Sequence, residues 1–193
     1  EDRHINISRA KYSTDYPCSF MFVASMNPCP CGYYGDPTHR CVCTPGQIQR
    51  YMNKISGPLL DRIDIQCEIS PVPFQDISKA APGEPSAKIR ERVIKAREVQ
   101  AERFKDYKGI HCNAQMTERM IHLFAEPDEQ GIELLRMAME KLSLSARAYN
   151  RILKVARTIA DLAGSEQIKP EHIAEAVGYR TLDRGDWAER GHL

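Results

Sequence analysis

Four cysteines in the string NPCPCGYYGDPTHRCVCTPG form two Cys-x-Cys pairs, Cys29 with Cys31 and Cys41 with Cys43. If a turn through Gly32 to Pro37 brings the pairs together, their thiolates supply the donor set of a tetrahedral zinc ion. Four protein ligands leave no open position for a substrate. The expected metal is therefore structural, stapling a loop too short to build its own core. Cys-x-Cys is tighter than the usual Cys-x-x-Cys knuckle, and His39 is available as a substitute ligand. The same residues also admit a redox-sensitive dithiol pair, or four unligated thiols in an ordered loop. Cys18, Cys67 and Cys112 read as core or incidental residues, and His4, His111, His122, His172 and His192 lack ligand spacing.

Beside the cysteines stand polar residues in unusual places. Asn27 ends the apolar run FMFVAS, where an amide could both donate and accept from a rigid mount. Taken alone, a plain Asn-Pro turn is the better account of it. Arg62 is squeezed between apolar residues in LLDRID, with Asp61 and Asp64 as local partners. Arg147 falls in the first turn of a long helix, after Ser143 or Ser145 as cap. A cation there opposes the helix dipole unless an anion binds, although pairing with a glutamate would also hold it. Arg9 and Lys11 occupy the turn of ISRAKYS next to Tyr12. Two cations and an aromatic ring could grip a phosphate backbone and stack on a base, or could simply face solvent.

The elements that must position these residues fall into two groups. Ile5 and Ile7, then Phe20, Phe22 and Val23, predict two strands around a polar turn, the second entering a core as FMFVAS. Thr44-Pro45 is an N-cap followed by Pro at the first helical position, so QIQRYMNKI should be a helix stopped by Ser56-Gly57-Pro58. IDIQCEIS, apolar at every second residue, predicts a further strand. A Pro/Gly/Ser/Ala-rich linker follows, around Ala80 to Ser86. Everything beyond it reads as helix: AKIRERVIKAREVQAERF with Ile89, Val93, Ala96 and Phe104 on one face, then TERMIHLF, DEQGIELLRMAMEKL, SARAYNRILKVARTIADLAG stopped by Gly164, and KPEHIAEAVGYR. The expected division is a strand-rich α/β part over residues 1–80, a helical bundle over 81–184 and a frayed tail over 185–193.

Bulk properties exclude some classes. The 193 residues carry 42% hydrophobic and 27% charged side chains with a formal net charge of +1. No global basic field marks a nucleic-acid partner, so any such contact has to be local. No apolar run reaches the roughly 18 residues of a membrane span, and no secretory signal pattern is present. With seven cysteines, reduced thiols in the cytoplasm are expected.

Taken in order, ISRA, VASMNPCPCG, QIQRYMNKISGPLLDRID and LSARAYNRILKVARTIADL resemble the AAA+ ATPases, and within them the magnesium-chelatase-like YifB/ComM family. The resemblance runs to about Arg184. It implies the C-terminal part of an AAA+ αβα core with a β-hairpin before sensor 1, followed by a helical lid. By the same resemblance Asn27 is sensor 1, Arg62 an arginine finger reaching a neighbouring subunit's nucleotide, and Arg147 sensor 2. Arg9, Lys11 and Tyr12 become the hairpin tip facing DNA in the channel of a hexameric ring. ATP and Mg²⁺ are the implied cofactors, and the implied activity is that of an ATP-driven motor on branched DNA in recombination. No G-x4-G-K-[ST] string occurs, nor an apolar strand ending in Asp-Asp or Asp-Glu. The chain therefore reads as the sensor half of an ATPase, expected to be inactive and monomeric by itself. The ATPase subunit of a metal chelatase and a stand-alone zinc-bearing interaction module are the competing readings.

Overall fold

A computed structural model of the chain describes residues 3–69, 71, 72, 76 and 82–180. The expected linker lies partly outside these residues, and the tail wholly so.

The chain opens with an antiparallel hairpin of β1, His4–Arg9, and β2, Tyr12–Pro17, in which Arg9 faces Tyr12 across the turn. Ala10 makes that turn with φ of +44°. The two-residue period gives the hairpin unlike faces. Asn6, Ser8, Ser13 and Asp15 bond to one another on one side, while Ile5, Ile7 and Tyr16 share the other. Thr44 caps α1, Pro45–Met52, in a capping box with Gln47, and Gly57–Leu60 forms the single turn α2. Ser56-Gly57-Pro58 thus starts a helical turn as well as ending one, because Pro suits a first turn that needs no N–H.

Two expected strands are absent. FMFVAS and residues 63–69 of IDIQCEIS are irregular, and the two-stranded sheet is the only one among the described residues. Met21 and Ile69 are each 88% exposed, so neither run enters a core. A strand needs a neighbouring strand to take its N–H and C=O groups, and among the described residues none pairs with either run. Within residues 3–69 the buried side chains are Cys29, Ile48 and Gln66.

The second part matches its pattern closely. Helices α3 (Ser86–Arg103), α4 (Glu118–Phe124), α5 (Glu129–Leu142), α6 (Ala146–Leu162) and α7 (Pro170–Gly178) pack around one core, with a 3₁₀ turn at Asn113–Gln115. Helix α6 is the central element, touching α3, α4 and α7. It buries Ile152, Leu153, Ala156 and Ala160 at helical spacing. Gly164, at φ +68°, closes it, with Ser165 N–H donating to Ala160 at 2.8 Å. Only the end of α3 joins this core. Ala96 and Phe104 are buried, but Ile89 and Val93, expected on the same face, are 42% and 45% exposed.

A buried polar network ties α3 to α6. Asp161, with its side chain fully buried, receives both guanidinium nitrogens of Arg103 at 2.5 and 2.8 Å, Asn113 at 2.7 Å and Arg157 at 3.1 Å. Arg157 also donates to the carbonyls of Ser165 and Glu166, so the network closes the end of α6 as well.

Candidate functional site

The four loop cysteines converge. The Sγ atoms of Cys29, Cys31 and Cys41 are 3.3, 3.5 and 3.7 Å apart, and Cys43 completes a set whose sulfurs all lie within 4.8 Å. A regular tetrahedron with Zn–S bonds of about 2.3 Å has edges of about 3.8 Å. The spacing therefore fits four thiolates around one ion, and it far exceeds the ~2.05 Å of a disulfide. All seven cysteines are free.

Local chemistry builds this cradle. Gly32 and Gly35 take φ of +85° and +80°, values that favour glycine, and Gly32 N–H donates to Cys29 O at 3.0 Å. The Asp36 carboxylate accepts from Thr38 N–H at 2.7 Å and His39 N–H at 3.1 Å, turning the chain back toward Cys41. His39 is not in the cluster. Its Nδ1 lies 2.9 Å from the Thr38 hydroxyl, and its ring stacks on Tyr33. Backbone N–H groups of Tyr33 and Val42 point at Cys31 and lower its pKa to about 6, whereas burial pushes Cys41 up to about 12. Cys18 and Cys112 are half-buried and Cys67 is exposed, so none of the three joins the core.

The other candidates stay apart. Asn27 is exposed just before the cysteine loop, its amide 3.9 Å from where a Cβ on Gly32 would lie. Arg62 is exposed on the turn after α2 and donates to Pro58 O at 2.7 Å. It pairs with neither neighbouring aspartate. Asp64 takes Arg151 at 2.5 Å, and Asp61 lies 4.0 Å from Arg180. Arg147 is exposed in the first turn of α6, where Ser145 rather than Ser143 is the cap, accepting from Ala148 N–H at 3.2 Å. That turn holds no acidic residue to offset the guanidinium. Arg9, Lys11 and Tyr12 are exposed at the hairpin tip, Tyr12 by 80%. Among the described residues no hydrogen bond or ion pair joins Asn27, Arg62 and Arg147.

Residues 83–180 match the family described as magnesium chelatase, subunit ChlI C-terminal, and residues 1–77 match magnesium chelatase, subunit ChlI. The chain belongs to this magnesium chelatase family. It is 43% identical over 185 residues to competence protein ComM of Haemophilus influenzae and 42% identical over 185 residues to YifB of Escherichia coli. A Mycobacterium tuberculosis protein, Rv2897c, is 35% identical over 180 residues. These alignments cover 93–95% of this chain but 35% of each relative. The chain thus spans about a third of the length of the relatives it matches. No described helix is long and apolar enough to cross a membrane.

Sequence reasoning did not single out Arg180, Arg151, Gln66 or Asp161. Arg180 is the last residue of the final helical pattern, and nothing local marks an arginine there as 1% exposed.

Proposed function

We propose that this chain is the sensor-and-lid portion of an AAA+ ATPase whose whole polypeptide is an ATP-driven motor on DNA, working as a ring. The exposed Arg62 guanidinium, on a turn anchored to the helical bundle, carries the proposal. The bundle's other well-held arginines, Arg103, Arg157 and Arg180, are turned inward on carboxylates and carbonyls. Arg62, though it rests on Pro58 O, is the one of these four left exposed, as a group acting on a neighbouring subunit's phosphate must be.

In this reading Asn27 orients the water that attacks the γ-phosphate. Arg62 neutralises charge on the transferring phosphoryl group, and Arg147 holds the nucleotide from the lid by its place at the start of α6. Arg9 and Lys11 contact the DNA backbone while Tyr12 stacks on a base. ATP and Mg²⁺ bind mainly to the part of the polypeptide that these residues do not include. Zinc, held by Cys29, Cys31, Cys41 and Cys43, supplies structure and no chemistry. The ComM relative, a competence protein by name, favours DNA as the substrate.

The family description favours a second reading, an ATPase subunit that drives metal insertion into a tetrapyrrole. ATP turnover by the whole polypeptide separates the two. A DNA motor shows DNA-stimulated hydrolysis that Arg9→Ala plus Lys11→Ala removes while leaving basal turnover. A chelatase subunit shows no response to DNA. Arg62→Ala should lower kcat by about 10³-fold or more with ATP binding retained, and unchanged kcat would remove Arg62 from the mechanism.

A further inference from the structure

Arg180 lies at the end of α7, far from Arg62 in sequence, yet its guanidinium spans the two carbonyls that flank Arg62. Nη1 donates to Ile63 O and Nη2 to Asp61 O at 3.5 Å, with the Asp61 carboxylate 4.0 Å away. Two further ties fix the same segment. Gln66 N–H donates to Tyr179 O at 2.9 Å while its own amide reaches back to Leu60 O at 3.2 Å. Arg151, on α6, holds Asp64 at 2.5 Å.

Arg180 is 1% exposed and Gln66 5%, so these contacts are shielded from water. Charge-assisted bonds of that kind are costly to break. The arrangement is asymmetric in a telling way. One guanidinium is buried gripping the backbone on both sides of residue 62, and the other, on residue 62 itself, is left outside.

We infer that Arg180 is a positioning residue for Arg62, which clamps the turn carrying Arg62 to the end of the helical bundle so that the two move as one body. This rests on the reading of Arg62 as an arginine finger. It adds that the finger's position is set by the bundle through Arg180 and does not depend on the hairpin or the cysteine loop. A lysine cannot replace it, because a single ammonium has no planar fork with which to bridge two carbonyls.

Hydrogen exchange of the chain tests the clamp directly. In both Arg180→Lys and Arg180→Gln the amides of Ile63 and Gln66 should exchange at least about tenfold faster, with amides of α6 from Ile152 to Ala160 unchanged. Continued protection of Gln66 in both variants overturns the inference. So does loss of protection along α6 in both, since Arg180 would then merely hold the bundle together.

Turnover by the whole polypeptide tests the positioning. Arg180→Lys should lower kcat about tenfold or more while KM for ATP stays the same, and an unchanged kcat alongside faster exchange also overturns it. Arg62→Ala should leave Gln66 exchange as in the parent. Normal hydrolysis by Arg62→Ala refutes the finger itself, while the exchange data still decide whether the clamp exists.

Discussion

Cys31 and Cys41 stand 3.5 Å apart but are driven in opposite directions, Cys31 down to about 6 by backbone N–H donors and Cys41 up to about 12 by burial. Cys43 is also raised, chiefly by burial. At pH 7 to 8, Cys31 is a thiolate while Cys41 and Cys43 keep their protons, so zinc must expel at least two. Apparent zinc affinity should then rise about a hundredfold per pH unit across this range. Calorimetry in buffers of different ionisation enthalpy counts those protons, and a count near zero contradicts four-thiolate ligation. Elemental analysis of Cys29→Ser plus Cys41→Ser should find the metal lost. Asp161 gives a second residue-scale case. Burial raises its pKa, but hydrogen bonds from Arg103 and Asn113 outweigh this and hold it below its ordinary value. A depressed carboxylate stabilises fully above its unfolded pKa of about 3.9 and loses that contribution as pH falls toward the folded value. Acid should therefore weaken the bundle below about pH 4. Asp161→Asn should cost about 3–5 kcal/mol at neutral pH by stranding the buried Arg157 and the half-buried Arg103, read from urea unfolding.

Among the elements, α5 shows how one glycine sets a helix start. A Cβ on Gly131 would lie 2.9 Å from Pro127 Cβ and 3.1 Å from the Asp128 carboxylate that caps the helix at 2.7 Å. Alanine normally favours a helix over glycine by about 0.5–1 kcal/mol. Here the neighbour is a rigid proline ring, in a segment bridged to Ile168, and it cannot swing aside. Gly131→Ala should therefore destabilise the bundle by about 1–2 kcal/mol, roughly 5–10 °C in Tm. A stabilised variant would mean that the turn at Pro127 yields more readily than its contacts suggest. Helix α6 carries the greater burden, and Leu153→Ala, at its buried centre, should cost about 2–5 kcal/mol in the same assay.

At the scale of the whole molecule, the two parts meet at residues 61–66, where Arg180, Tyr179 and Arg151 take hold. Removing zinc should accordingly loosen the loop and leave the bundle's calorimetric transition in place, within about 2 °C. A larger shift would show that the loop supports the bundle. The chain alone should hydrolyse no ATP under the proposed function, since its sequence holds no G-x4-G-K-[ST] string to cradle phosphates.

Local chemistry made much of this protein legible from residues alone. The Thr44 cap, the Gly164 stop, the helical repeat of Ile152 and Ala156 and the paired cysteines each act within a few positions of chain. Their partners are close in sequence, so pattern and structure agree. FMFVAS and IDIQCEIS failed as strands because a strand is completed by a neighbour, which a period of two residues does not provide. Arg62, Arg180 and Asp161 illustrate the remainder. Arg180 is buried on carbonyls 117 and 119 residues away and Asp161 on an arginine 58 residues away, so which groups are buried and which left outside was decided only by the assembled fold.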